Sequence, residues 1–255
     1  MPAPLHLAVV GKGGAGKSVL AGTLARTLAR RGMPVLALDS DTMPGLTFSL
    51  GAEQPDEPPL QAAAERNDAG RWRPRRGIGP VRAVQRYATR APDGVLLLQS
   101  GKTTTEGMAP VLGSVNVFYD VIHRLARAPY FRDWVVVGDL SAGPRQSAFD
   151  WAPYADTFVL LVEPTWKSAL TARRIARIVR SRGPVTVHVV ANKVRTDGDA
   201  DAVARMVGES VFASIPHDDA VAEAERRGVA LVDHAPDSPA VRAVEELARR
   251  LSSHG

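Results

Sequence analysis

Short apolar runs alternate with longer stretches of helical periodicity along most of this chain. Continuous runs rich in Val, Leu, Ile and Ala at 5–10, 34–38, 95–99, 134–138, 157–162, 185–191 and 210–215 read as strands. Between them apolar residues recur every three or four positions over 17–31, about 114–127, 167–182, 199–207, 218–227 and near 238–252, which predicts helices. A strand that is apolar at every position must be covered on both faces. The pattern therefore predicts an α/β fold, a mostly parallel twisted sheet of about 7–8 strands with helices on both sides. In such sheets ligands collect at the carboxyl ends of the strands.

Residues 51–93 break the rhythm. They carry six prolines, begin acidic, and then run from Arg71 to Arg90 with seven arginines and no carboxylate. We read this stretch as an irregular excursion over that ligand-collecting face, with a short helix at 81–89; it is either a solvated loop or a nucleic-acid-binding stripe. At 255 residues with no obvious linker, the chain 1–255 is expected to be a single domain. No run approaches the roughly 20 apolar residues of a membrane span, and Met1-Pro2-Ala3-Pro4 lacks a signal-peptide layout, so a cytoplasmic location is expected. The absence of cysteine excludes disulfides and removes the thiolates a soft-metal site would use. The net charge of +5 comes mostly from arginine; the lysines are Lys12, Lys17, Lys102, Lys167 and Lys193.

Two of those lysines lie in the most specific signal of the chain. Residues 11–18 read Gly-Lys-Gly-Gly-Ala-Gly-Lys-Ser, directly after the first apolar run and directly before a helical pattern. A glycine-rich turn between strand and helix is the plainer account, but the complete Gly-x-x-x-x-Gly-Lys-Ser spacing in this context predicts a phosphate-binding loop. Successive backbone N–H groups wrap phosphate oxygens, so glycines are needed where a Cβ would obstruct the approach. The candidate contacts are Gly11, Gly13, Gly14, Ala15, Gly16, Lys17, Ser18 and Val19. Lys17 is placed to reach the phosphate oxygens, and the Ser18 hydroxyl to ligate Mg²⁺.

Acids follow two of the strands. After the second comes Asp39-Ser40-Asp41-Thr42-Met43-Pro44-Gly45, whose carboxylates are two apart and would share a face if the segment is extended. After the fourth comes Gly138-Asp139-Leu140-Ser141-Ala142-Gly143. Asp beside a strand end is also ordinary turn chemistry. Together, though, the two segments could supply what phosphoryl hydrolysis needs: an acid for the Mg²⁺ shell, an acid that orients water, and segments that sense the terminal phosphate.

Lys-Gly-Gly-x-Gly-Lys-Ser, with its additional lysine at Lys12, resembles the deviant Walker A loop of the MinD/ParA/ArsA group of P-loop ATPases. The resemblance extends over nearly the whole chain, and its closest flavour is the CooC-like nickel-insertion ATPases. It implies ATP/ADP and Mg²⁺ as cofactors and an ATP-dependent homodimer in which Lys12 contacts the nucleotide of the opposite subunit. It makes Lys12, Lys17, Asp41 and Asp139 the catalytic set, with Asp41 orienting water. Ser18, Asp39 and Asp139 become the metal-side residues. Asn192, with Lys193 beside it, looks like the adenine-reading asparagine, and Ile215-Pro216 like the segment lying along the base; for Asn192 alone a cap or turn is an equal account.

The chain departs from the metal-handling branch in one respect. Those relatives carry Cys-x-Cys in the region corresponding to about 107–117, where this chain has Gly113-Ser114-Val115-Asn116. His217-x-Asp219 offers metal donors but follows the base-contacting segment, and the histidines at 6, 123, 188, 234 and 254 show no ligand spacing. Three outputs remain open for such a switch: maturation or delivery for an unidentified partner protein, ParA-like nonspecific DNA binding through Arg173, Arg174, Arg177 and Arg180 or the 71–90 stripe, and an ATP-dependent scaffold with negligible turnover. A terminal membrane tether is disfavoured, because Val241, Val244, Leu247 and Leu251 read as a core-packing face and no membrane insertion is expected.

Overall fold

The computed structural model describes residues 5–43, 45–101 and 111–253. Met1-Pro2-Ala3-Pro4, Pro44, Lys102, His254 and the 107–110 part of the segment compared with Cys-x-Cys pairs lie outside these residues. The chain opens with β1 (His6–Gly11), α1 (Lys17–Arg30), β2 (Val35–Asp39) and α2 (Leu46–Leu50). A short hairpin, β3 (Ala64–Arg66) and β4 (Trp72–Pro74), precedes α3 (Pro80–Tyr87), β5 (Thr89–Arg90), β6 (Leu96–Gln99) and α4 (Val111–Leu125). Then come β7 (Val135–Asp139), α5 (Arg145–Ala148), β8 (Thr157–Val162), α6 (Trp166–Arg180), β9 (Thr186–Val194) and α7 (Asp197–Val207). β10 (Val211–Pro216), α8 (Asp219–Arg227), α9 (Leu231–His234) and α10 (Pro239–Ser253) complete it.

Among the described residues the main sheet has eight strands in the order β10-β9-β8-β1-β7-β2-β6-β5, all parallel except β5. The seven strands read from the sequence are all present, within three residues at each end. Although the central strands are apolar throughout, their residues divide by parity between two cores. Leu7, Val9, Val35, Ala37, Val135 and Val137 pack on the side of α1 and α10. Ala8, Val10, Leu36, Leu38 and Val136 pack on the side of α4 and α6. Continued one step, the same parity turns Asp39 and Asp139 toward α1, side by side in register.

The 51–93 stretch corrects our expectation of an irregular excursion over the nucleotide face. It forms the β3–β4 hairpin and α3, the latter close to the predicted 81–89. Leu60, Ala63, Ala64, Ile78, Ala83 and Val84 are buried with α4 residues such as Val117, Phe118 and Val121. The approach is close: a Cβ on Gly113 of α4 would lie 2.9 Å from Ala64 Cβ and 3.2 Å from Trp72. The prolines begin helical turns, at Pro59, Pro80 and Pro92, rather than marking disorder. The arginines stay at the surface while their apolar neighbours supply the contact.

The helix that leaves the glycine loop is fixed along its length. Leu20, Leu24 and Leu28 bury its apolar stripe, and Gly32, at φ +83°, ends it with its N–H on Ala29 O (2.9 Å). One arginine on α1 is inside the protein. Arg26 is 2% exposed, donates to both Asp233 oxygens (2.8 Å each) and to Leu50 O (3.0 Å), and also pairs with Asp93. It thereby ties α1 to α2, to the turn before β6 and to α9. Arg26→Met keeps the stem but leaves three acceptors without their shared donor, and should cost about 2–4 kcal/mol in urea unfolding. Burial works against the Asp93 charge, yet Arg26 and Arg30 hold its carboxyl below the usual range. That stabilisation is full above the ordinary carboxylate pKa and is lost as pH falls through the depressed one. The gap between wild type and Arg26→Met should therefore narrow as unfolding is measured at progressively more acid pH.

Candidate functional site

β1 delivers the glycine loop to the centre of the sheet, between β7 and β8. Two glycines there answer to close approach. A Cβ on Gly11 would stand 2.6 Å from Leu161 O, and Gly16, which caps α1 at φ +92°, leaves room for the Asn192 amide, 2.8 Å from where its Cβ would be. No side chain caps α1, so its first N–H groups face the loop's interior. The Asn192 amide donates to Ala15 O (2.7 Å) from the end of β9. Asn192 is thus a brace on the loop, not a helix cap.

A cavity of about 890 Å³ opens beside the loop. Gly14, Gly16, Lys17, Ser18 and Val19 line it together with Asn192, Lys193 and Pro216. Gly11, Lys12, Gly13, Ala15, Asp39, Asp41 and Asp139 stand outside its lining. Asp139 lies behind Ser18, whose hydroxyl donates to its Oδ2 at 2.5 Å. Its Oδ1 is buried and has no hydrogen-bond partner. Burial pushes the Asp139 carboxyl up to about 6, against the Ser18 hydrogen bond and the Lys17 charge, which pull it down. Asp39 is fully buried, and burial together with the Asp139 charge raises its carboxyl well above the usual range. Both its oxygens accept main-chain amides, from Asp41 (3.0 Å) and Leu46 (3.2 Å).

That capture overturns one expectation. Asp39 and Asp41 do not lie two apart on an extended strand, because β2 ends at Asp39 and its carboxylate folds the following segment into a turn. Asp41 is half-buried past the strand end and accepts from Met43 N (3.1 Å). The segment comes back to the glycine loop at Gly45, where a Cβ would be 2.9 Å from Ser18 Oγ.

On the other side of the loop, Lys12 lies outside the cavity lining, its Nζ 3.4 Å from Gly13 O. Its Nζ is 3.6 Å from Glu163, and the same carboxylate holds Lys193 at 2.6 Å. Lys193, in a left-handed conformation at φ +59°, also donates to Gly14 O (2.7 Å). Lys17 Nζ rests 3.4 Å from Lys12 O. His217 lies 3.2 Å from Asp219, and no cluster of three or more metal-donor side chains exists among the described residues.

Three contributors escaped sequence reasoning. Glu163 ends the apolar run of β8 just as Asp39 and Asp139 end theirs, so the rule that singled them out would have found it. Asp218 caps two helices at once, accepting from Ala220 N and Ala240 N (3.0 Å each). Burial opposes its charge, but the Ala240 and Ala220 amides and the Ser238 hydroxyl hold its carboxyl below the usual range. Gln146 links the segments after β2 and β7; it sits in no motif and had no signal.

Comparison with known proteins agrees with this geometry. Residues 7–243 match the family model described as the CobQ/CobB/MinD/ParA nucleotide binding domain. An uncharacterized ATP-binding protein of Methanocaldococcus jannaschii is 27% identical over 95% of this chain and 96% of its own. The carbon monoxide dehydrogenase accessory protein CooC of Rhodospirillum rubrum is 27% identical over 91% of each. In fold, the chain is similar to the septum site-determining protein MinD of Pyrococcus horikoshii complexed with Mg-ADP, with a TM-score of 0.73 and 18% identity over 97% and 96% of the two chains. With its glycine loop, parallel sheet and family match in agreement, the chain belongs to the CobQ/CobB/MinD/ParA family of nucleotide-binding domains.

Proposed function

We propose that this protein, as one domain over 1–255, is a Mg²⁺-dependent ATPase that dimerises on ATP and through that dimer controls a partner protein. The observation that carries this is the corner behind the cradle, where Ser18 Oγ meets Asp139 and a buried carboxylate oxygen has no protein donor. A divalent cation fits that corner, since it would neutralise two adjacent buried carboxyls that no lysine touches directly. Ser18 and Asp139 would hold it, with Asp39 behind them. Bound there, Mg²⁺ supplies charge neutralisation for the phosphate oxygens.

The loop amides and Lys17 bind the phosphates, with Gly11, Gly13, Gly14, Ala15, Gly16 and Val19 shaping the cradle. Asn192, Lys193 and Pro216 line the cavity and take the base. Asp41 heads the turn held by Asp39 and orients the attacking water. Lys12, partly exposed and outside the cavity, is free to swing toward a second copy's nucleotide. Two triphosphates at one interface repel unless cations intervene, so a dimer completed by Lys12 is contingent on ATP. Hydrolysis removes the phosphate that orders the segments after Asp39 and Asp139, and the dimer loosens.

The likeness to a carbon monoxide dehydrogenase accessory protein supports maturation or delivery as the output, although the chain has no cysteine for holding a soft metal. DNA binding is the second reading, favoured by the exposure of Arg173, Arg174 and Arg177 on α6; Arg180 is engaged with Glu209. A scaffold with negligible turnover is the third. Among the described residues no helix is long and apolar enough to cross a membrane.

Three experiments test these readings. Lys12→Ala should bind ATP within a few fold of wild type and lose about a thousandfold in turnover, by analogy with residues that act in trans on the transferred phosphate; normal turnover would exclude the trans role. Asp139→Asn removes a buried charge beside Asp39, so without Mg²⁺ or nucleotide it should raise stability by about 1–3 kcal/mol in thermal unfolding. The same variant should lose Mg²⁺-dependent hydrolysis by at least about a hundredfold, and a variant that is both less stable and active would contradict the cation corner. If DNA is the partner, affinity measured with ATP should fall steeply between about 50 and 200 mM salt, with a slope reduced by Arg173→Ala and Arg177→Ala.

A further inference from the structure

The two segments expected to sense the nucleotide leave neighbouring strands and separate. The β2–β7 pairing runs in register to Asp39 and Asp139, and Ser40 N then donates to Asp139 O (3.1 Å). Beyond that rung one chain turns toward α2 and the other toward α5. Where they part, a single amide side chain from α5 stands between them. Gln146 Oε1 accepts from Ser141 N (2.8 Å) and lies 2.5 Å from Ser40 Oγ, while Gln146 Nε2 donates to Ser40 O (2.8 Å). The Ser40 hydroxyl also lies 2.8 Å from Asp139 O, so the cluster sits directly on the last rung.

Every hydrogen-bonding group of that amide except one N–H has a partner, and the partners are main chain or a buried serine. Beyond the Ser40 bonds to Asp139 O and the Asp39 carboxylate's hold on Asp41 N and Leu46 N, two tethers of the 40–47 segment run to the end of β6: Ser100 Oγ donates to Asp41 O (3.4 Å), and Gln99 Nε2 bonds Thr47 Oγ1. Gln146 instead joins that segment to the one following Asp139. A backbone shift of an ångström at Ser141 cannot occur without breaking the bond to Oε1 or carrying the amide, and with it Ser40, along. Ser40 immediately precedes Asp41.

We propose that Gln146 is a positioning residue that couples the Asp41 and Asp139 segments, so that both adopt their nucleotide-bound arrangement together. The proposal rests on the ATP-switch reading above. It assigns a role to a side chain that touches neither cradle nor cavity, and it makes the two sensing segments one cooperative unit rather than two independent ones.

Hydrogen–deuterium exchange tests it on the whole chain. In wild type, ATP with Mg²⁺ should slow exchange in both the 39–43 and 139–145 peptides. In Gln146→Leu, which keeps the bulk and removes every polar contact, ATP affinity should stay within about threefold, protection should reach one peptide without the other, and turnover should fall about tenfold, the effect of losing one or two buried hydrogen bonds. Ser40→Ala removes only the hydroxyl and should act in the same direction by about threefold; it also decides the matter if Gln146→Leu does not fold. Parallel protection of both peptides together with wild-type turnover in these variants would overturn the coupling. A second arm needs no nucleotide: basal exchange of both peptides should rise about tenfold in Gln146→Leu, and no rise would overturn the brace. If wild type bound no ATP while this basal effect held, the ATP reading would fall and the brace would stand.

Discussion

Asp39 and Asp139 lie side by side on adjacent parallel strands, buried, with no water to dilute their charge. Most of the site can be understood as an answer to that juxtaposition. Burial alone would make two such carboxylates very costly, and each is relieved in a different way. Asp39 spends its oxygens on main-chain amides, which turns an electrostatic liability into the device that folds the 40–46 turn. Asp139 receives the Ser18 hydroxyl and the field of Lys17 but keeps one oxygen unpartnered. A pair held so is poorly satisfied by the protein alone and is stabilised by any cation that enters beside Ser18.

The surroundings divide into parts fixed by apolar packing and parts held by discrete polar contacts. α1 is fixed by its leucine stripe and by the buried Arg26 network, so the glycine loop and Ser18 start from a firm platform. The Asn192 side-chain amide, donating to Ala15 O, and Gly11, by its close approach to Leu161 O, lock the loop against β9 and β8. By contrast, the segments after Asp39 and Asp139 are held by a handful of discrete polar contacts, including the Gln146 amide and the buried carboxylate of Asp39. Segments held by a few discrete contacts rather than by a packed core are those that open locally at least cost.

Charge on the opposite side of the loop is arranged more economically. A single carboxylate, Glu163, faces both Lys12 and Lys193, leaving a surplus of positive charge around the cradle. That surplus suits a polyphosphate. Lys12 itself is held by a long, partly exposed ion pair, the weakest class, and by a long hydrogen bond to Gly13 O (3.4 Å).

The sequence by itself determined the seven parallel strands of the main sheet, the longer helices between them and the glycine loop, because continuous apolar runs and a fixed glycine–lysine–serine spacing are local properties that burial and backbone geometry enforce; the short β3, β4 and β5 and the short α2, α5 and α9 carry no such run. It also located Asp39, Asp41 and Asp139 near strand ends. It could not say that the proline- and arginine-rich 51–93 stretch packs its few apolar residues on α4, since that depends on a groove supplied by a helix more than twenty residues later. Nor could it show that Asp41 leaves the strand, because the amide that captures Asp39 belongs to a turn that the carboxylate itself creates. Gln146 and the pairing of Glu163 with Lys12 and Lys193 gained their roles only when the parallel sheet brought the ends of β1, β2, β7, β8 and β9 together, and Arg26 gained its own when α2, α9 and the turn before β6 closed around α1. The reason is geometric: a hydrogen bond or ion pair between residues a hundred positions apart has no periodicity to betray it, and exists only once the crossovers have closed.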